Sequence, residues 1–489
     1  PRIGFAWAPD FQEGWMHRIF GDQGQSSIRG GFAMAYDVLF QNLVLLQLPP
    51  QLQSEIDATS GDGGIFGSPT NFLQSGGIPP SGAIDPLLFT DPATARALTQ
   101  AIILDTQTPY TLSWSLAVQR EFLRNWSVEA RYLGTRGVHL FIQQRLNAGV
   151  PIGFNLPTFF STSEIPSTST LRNLPTRADF LGARQRLLAP LGFLSNFTAF
   201  PAQGNSIYHG GSLNVKRRLT SGVSLDMSYT LSKTIDDSTN ELFSSFVNPR
   251  RPAFFFDRER ERAESVLSRR HRLSIGWIWE LPFYKNEGGF LGQVLGNWQI
   301  SGIYQAESGQ LVDALSFNDA NGDFDNAGDR TVLNPNGDLG RGSSVSWVTR
   351  NGRVVAPGSV ANSEVVGYIA DDPGAGFVFA DVGANANAGR NLLKAPGINN
   401  WDISLFKRFS ISENHKIEFR AEMFNAFNHP QFVIDDPFAT DFVDVTSPNF
   451  QNEKLFSGSP TGPVTFAGNN NPLTGGNPRV IQMVLRYKF

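Results

Sequence analysis

Apolar and polar residues take turns along much of this chain. At the C-terminus Ile481, Met483, Leu485, Tyr487 and Phe489 fall on one face of an extended segment, with Gln482, Arg486 and Lys488 on the other and Val484 out of pattern. A period of two marks a β-strand with one apolar and one polar face. The same pattern sets Val223, Leu225, Met227, Tyr229 and Leu231 against Ser224, Asp226, Ser228 and Thr230. It also sets Leu273, Ile275, Trp277, Trp279 and Leu281 against Arg272, Ser274, Gly276 and Glu280. Alternation predicts eleven strands, at 2–8, 26–37, 110–122, 126–140, 208–219, 222–235, 270–281, 297–308, 401–409, 416–427 and 479–489.

The connections alternate too. Residues 123–125, 220–221 and 410–415 are tight and 9–25 and 282–296 intermediate, whereas 38–109, 141–207, 236–269, 309–400 and 428–478 are long. Short turns on one rim and long loops on the other are the asymmetry of a bacterial outer-membrane barrel, and a soluble sandwich has no reason to sort its loops so. Strands of this length suffice, when tilted, to cross an apolar band about 25 Å tall. The parity puts the C-terminus at the short-turn, periplasmic rim. The fold class expected is all-β, an antiparallel transmembrane β-barrel. Residues 345–356 have room for a further short hairpin inside a long loop.

Composition supports the membrane reading without proving it. Of 489 residues, 40% are hydrophobic and 12% aromatic, but only 17% are charged. The longest apolar-rich stretch, Val38 to Leu48, is broken by Gln41, Asn42 and Gln47, far short of the ~18–20 residues of a membrane-spanning helix. A closed barrel is then the one membrane form left, because its strands satisfy all backbone groups without long apolar runs. A net charge of −4 gives no electrostatic case for nucleic acid. The absence of cysteine excludes a disulfide scaffold.

Candidate chemistry is sparse. Asp319, Asn321, Asp323 and Asp325 have the i, i+2, i+4 spacing of a calcium loop. Phe324 stands where such a loop needs Gly and Arg330 where it needs Glu, so they are a weak metal candidate beside the plainer reading of a polar loop. The charged run Asp257 to Glu264, with Arg269 to Arg272, fits an anion or lipopolysaccharide phosphates, or a solvated rim network. His139, His209, His271 and His429 have no second His or Cys at ligand spacing, and read as surface or turn residues. No Gly-x-Ser-x-Gly elbow or phosphate-binding Gly-rich loop is present, so no catalytic or cofactor-binding residue is assigned and no cofactor is expected. Trp126, Tyr132, Tyr229, Trp277, Trp279, Phe283, Tyr284, Trp298, Tyr304, Trp401 and Tyr487 fit interfacial aromatic girdles. The glycines at 30, 31, 210, 211 and 302 fall within strands, where Gly permits curvature or close approach.

Several segments, in order, resemble the barrel of Oar-like TonB-dependent receptors: PRIGFAWAP with SSIRGGFAMAYD, TPYTLSWSLAVQREFLRNWSVEARYLGTRGVHL, NSIYHGGSLNVKRRLTSGVSLDMSYTLSKTIDD, RRHRLSIGWIWELPF, GNWQISGIYQAESGQ, NNWDISLFKRFSI and IEFRAEMFNAFNHPQF. The resemblance implies a barrel of 22 strands, a plug, a TonB-contact segment and energy-coupled uptake of an external ligand. It makes residues 1–489 a C-terminal portion, with plug and first strands upstream, and an odd count of eleven agrees with that. It also makes Ile481, Met483, Leu485, Tyr487 and Phe489 the signal read by the barrel-assembly machinery. Expected partners are that machinery, the TonB complex through the missing part, outer-membrane lipid and lipopolysaccharide, and an unidentified external ligand. A passive pore or surface adhesin and a soluble extracellular β-rich binding module remain as alternatives.

Overall fold

The alternating segments become eleven consecutive strands of one antiparallel sheet. The structure, a computed structural model, describes residues 1–37, 92–97, 103, 106–123, 125–238, 252–254, 256–284, 289–316, 318–325, 328–394, 397–410, 412, 415–429, 432–434, 442–444, 464–466 and 479–489. The wall strands are β1 (Arg2–Trp7), β2 (Ser26–Tyr36), β3 (Tyr110–Phe122), β4 (Trp126–Phe141), β5 (Ala202–Thr220) and β6 (Val223–Asp236), followed by β7 (His271–Glu280), β8 (Trp298–Glu307), β9 (Ile398–Ser410), β10 (Lys416–Phe424) and β11 (Val480–Lys488). Each pairs with the next in the chain, and the two-residue strand Ala263–Glu264 adds to the end of β6. Among the described residues β1 and β11 are not paired with each other, so the sheet is open and both end strands are exposed along their length.

Register carries the alternation across the whole sheet. Leu116 stands opposite Tyr132, Tyr132 opposite Gly211, and Gly211 opposite Leu231. Farther along, Leu225, Trp277, Gly302, Ile403, Met423 and Ile481 form one transverse row. One face is therefore largely apolar, interrupted by Arg217, Lys233 and Lys407, and the other carries Ser, Asn, Asp, Glu, Arg and Lys. Three glycines on the apolar face are roofed by the aromatic residue directly opposite, whereas Gly211 is left open. Phe5 lies over Gly30, Trp114 over Gly134 and Trp277 over Gly302, each so close that a Cβ at the glycine would stand 2.2–2.6 Å from a ring atom. Cross-strand cover restores apolar surface that a bare glycine would leave unfilled. Trp277 also packs edge-on to Trp401, at 5.9 Å between ring centroids, and Trp401 stacks on Tyr304 at 4.1 Å.

The strands match the predicted segments closely, though β9 begins at Ile398 rather than 401, and two further differences stand out. Strands β4 and β5 continue to Phe141 and Ala202, beyond the expected ends at 140 and 208. His139, at φ 57°, is bulged out of the ladder within β4, and the added start of β5, Ala202 to Ser206, is small or polar and carries no alternation to read. Strand β10 stops at Phe424 rather than 427, because Asn425 turns left-handed at φ 47°. No helix among the described residues is long and apolar enough to cross a membrane. The stretch Val38–Leu48 and most of the loops at 38–109 and 428–478 lie outside the described residues.

The larger departure concerns the other two longest loops. The described residues of 142–201 and 308–397, most of them within the long connections expected at 141–207 and 309–400, fold together into a cap with its own core. Leu156, Phe180, Trp347, Val365, Tyr368 and Val378 are buried together in it, and a second cluster holds Phe159, Leu171, Val348, Val366 and Ile369. Strand Val365–Ala370 is buried on both faces. It pairs with Val345–Thr349, which turns back on Val354–Val355 as the expected hairpin, and on its other side with Thr158–Phe159. The central strands here, Val345–Thr349, Val365–Ala370 and Ala375–Val378, are short and covered on both faces, so they leave no one-sided pattern.

Candidate functional site

Two surfaces are available for function: the polar face of the wall and the cap above one rim. On the wall, charged side chains from the same or nearby strands meet in pairs. Arg29 reaches Glu129 at 3.2 Å, and Arg131 reaches the same carboxylate at 3.0 Å. Lys216 pairs with Asp226 at 3.0 Å, and Glu418 accepts from Lys488 at 2.8 Å with Arg408 at 3.4 Å. Most of these groups are half-exposed, so each pair is worth at most about 1 kcal/mol. Their role is to keep the polar face wetted and charged. Between them lies a depression of about 430 Å³ bordered by Ser224, Asp226, Ser301, Asp402, Ser404 and Glu422. Gly276, on the polar face opposite Asp226, contributes no side chain to it.

The cap is fastened to the rim by buried charge. Arg390 bonds both the carboxylate and the carbonyl of Asp236, the last residue of β6. Arg330 forms a two-pronged pair with Glu261, at 2.7 and 3.1 Å, and its Nε donates to the carbonyl of Ala388 at 2.9 Å. Glu261 belongs to the charged run read in sequence as a solvated network, and here it is almost wholly buried. The rest of the run agrees better with that reading: Arg258 and Arg262 are exposed, and Glu264 is bonded to Ser268 and flanked by Lys233 and Arg270.

The calcium-like segment lies inside the cap. Asp319 pairs with Arg184 at 2.7 Å and accepts from the Phe324 amide at 3.1 Å. Asp329 accepts from the Ala320 amide at 2.6 Å, and Asn321 Nδ2 lies 3.2 Å from Asp323 and 3.4 Å from Asp329. Asp323 accepts from the Asp325 amide at 2.8 Å. Phe324, the residue out of place for a calcium loop, adopts φ 66°, with Arg184 and Arg186 stacked on its ring. Burial pushes the carboxyls of Asp319 and Asp329 upward and that of Asp323 to about 7; neighbouring carboxylates add to the shifts of Asp323 and Asp329, whereas Arg184 opposes that of Asp319. Among the described residues no group of three or more His, Cys, Asp or Glu side chains is placed to hold a metal ion. The segment is organised instead by its own amides and by arginine.

Pairing of histidine with tyrosine across strands escaped the sequence reading. Tyr132 Oη and His209 Nδ1 are 2.7 Å apart, Tyr229 and His271 2.8 Å, and Tyr487 and His415 2.6 Å, with the rings stacked in all three. Each pair is diagonal across neighbouring strands on the apolar face, and such a relation becomes visible only once register is known. The third pair engages Tyr487 of the terminal strand. Phe489 is almost fully exposed, with its ring against Tyr487 at 5.9 Å. Ile481, Met483 and Leu485 share the apolar face with Tyr487 and are also exposed.

Residues 1–482 match the family described as outer membrane beta barrel domain, and the chain belongs to that family. It is an outer-membrane β-barrel chain. No curated protein matches it in sequence. Among solved structures it is similar to the outer membrane transporter YddB from Escherichia coli, with 8% identity, a TM-score of 0.39, and coverage of 95% of this chain and 38% of that one. It is likewise similar to BauA, the ferric preacinetobactin receptor from Acinetobacter baumannii, with 10% identity, a TM-score of 0.34, and coverage of 95% and 34%. The ferripyoverdine receptor of the outer membrane of Pseudomonas aeruginosa matches with 8% identity, a TM-score of 0.36, and coverage of 100% and 33%. The chain thus spans little more than a third of the length of these proteins.

Proposed function

We propose that this chain supplies wall and external cap to a TonB-dependent receptor that takes up an external ligand with energy coupling. The observation that carries the reading is the sorting of connections: every short turn lies at one rim, and every long loop, including the folded cap, at the other. In outer-membrane barrels the long-loop rim faces outward, which leaves the C-terminus periplasmic. The Oar-like segments in family order support the TonB-dependent type. Eleven strands then make half of a 22-strand barrel whose remaining wall and plug lie upstream, and the paired charges from Arg29 to Lys488 face the plug side of the lumen. The exposed edges of β1 and β11 agree with this, since an open edge in lipid would strand a row of backbone amides and carbonyls.

The experiment is uptake by cells carrying the full-length gene with and without TonB, after screening ligands for protection of the cap from protease. Uptake that vanishes without TonB supports the reading. Uptake or ion conductance that is indifferent to TonB favours the passive pore instead.

A further inference from the structure

Two cations of the apolar face lie beneath helices at the short-turn rim. Lys407, opposite Trp298 on that face, is wholly buried, and its ammonium donates to the carbonyl of Gly296, just past the end of the helix Gly289–Leu295. The same nitrogen lies 5.5 Å from the ring of Trp298 and 4.9 Å from that of Phe409. The Trp298 indole N–H donates to the carbonyl of Val294 at 3.0 Å, and Gln293 reaches the carbonyl of Ser410 at the end of β9. The other intermediate turn repeats the arrangement. Arg120, on the apolar face between Ser26 and Val128, donates at 2.8 Å to the carbonyl of Arg18 and also to that of Ile19, in the last turn of the helix Gly14–Phe20. Ser26 donates to the carbonyl of Phe20. In both turns the side chains that hold the helix rise from the apolar face, so each helix is folded back over the outside of the wall.

The last carbonyls of a helix lack partners within it and carry partial negative charge, which a lysine or arginine completes. A cation on a lipid-facing surface is costly, and a lysine this close to a rim has the reach to carry its ammonium to water. Lys407 instead stays under the helix. Gly292 and Gly296, four residues apart, are buried on the near side, where a Cβ at Gly296 would run into the carbonyl oxygens of Tyr284 and Gly292. The far side of this helix carries no charge and shows Phe290 at 80% exposure, with Leu291, Val294 and Leu295 exposed beside it. The helix Gly14–Phe20 likewise shows Trp15 and Ile19, one turn apart. We propose that the two helices are covers built into the lipid-facing surface: each sheathes a cation of the wall and offers its own apolar residues to the edge of the membrane in place of that charge. This requires only that the apolar face meets lipid, whichever rim is periplasmic and whether or not uptake is energy-coupled.

The test uses the full-length protein refolded into phosphatidylcholine vesicles. A fluorophore on Phe290→Cys or Trp15→Cys is expected to be quenched by spin-labelled lipid and shielded from iodide, as one on Leu405→Cys of the apolar face should be. Quenching by iodide as strong as at Ser404→Cys, on the polar face, overturns the placement of the helices. Folded yield separates a cover from a pin. Gly296→Val, which drives a side chain into the Tyr284 and Gly292 carbonyls, should lower the yield about fivefold, the effect of a bare cation near the membrane edge. Adding Lys407→Met to it should restore the yield, and Lys407→Met alone should fold as well as wild type. A Lys407→Met protein that folds poorly, or that fails to rescue Gly296→Val, makes the lysine a pin for the turn and overturns the cover. Wild-type yield from Gly296→Val overturns it as well.

Discussion

Arg330 and Glu261 come from two different long loops and meet as a two-pronged pair with both side chains at 1–2% exposure. The pair joins the cap to the segment that follows β6. Its attraction is offset by the desolvation of both charges, but loss of one partner leaves the other buried and uncompensated. Glu261→Gln is therefore expected to cost about 3–5 kcal/mol of cap stability. An Arg330→Met, Glu261→Leu double variant should regain most of that loss. Proteolysis of the cap in folded protein measures both, and a single variant as resistant as wild type would contradict the role given to the pair.

The acidic segment makes cap stability depend on pH. Burial lifts the Asp323 carboxyl to about 7 and raises that of Asp329 as well, so the folded cap holds these protons more tightly than the unfolded chain does. The contribution is fully present below about pH 4, the ordinary aspartate range, and is lost as pH rises through about 7. Cap melting should occur about 5 °C or more higher at pH 5 than at pH 8. Asp323→Asn should flatten the difference, and a wild-type cap melting alike at both values would refute the linkage.

Adjacent residues on β9 offer a test of the wall. Leu405 lies on the apolar face opposite Ile300, and Ser404 on the polar face opposite Ser301. Leu405→Arg is expected to cost about 2–4 kcal/mol on folding into vesicles, the cost of a cation near the bilayer midplane. Ser404→Arg should change stability by less than about 0.5 kcal/mol. Denaturant titrations in vesicles read both, and equal costs would mean that the two faces are misassigned.

Phe489 contributes little to packing, as its near-complete exposure shows. If it serves as an assembly signal, its deletion should lower folded protein in the outer membrane about tenfold or more while altering purified stability by less than about 1 kcal/mol. Quantifying heat-modifiable protein in membranes, beside unfolding of refolded material, separates the two effects. Normal membrane levels would remove Phe489 from that role.

The eleven wall strands were legible from the sequence because their cause is local. Lipid on one side and water on the other force each residue to declare its face, so Leu225 against Asp226 or Leu485 against Arg486 is readable without knowing any neighbour. The same holds for the hairpin at 345–356, whose turn residues lie within its own few positions. Where β5 opens with Ala202, Gln203, Gly204, Asn205 and Ser206, small or polar, there is no alternation to read, and the reading begins at 208. What lay beyond local reach was every relation set by distant residues: Trp277 roofing Gly302, Tyr132 beside His209, Glu261 meeting Arg330, and Lys407 bonded to Gly296. The cap leaves no one-sided periodicity because its central strands, such as Val365–Ala370 and Ala375–Val378, are short and covered on both sides. Only the tertiary structure, by bringing these loops together, could turn a segment that reads as polar linker into a cap with a buried core.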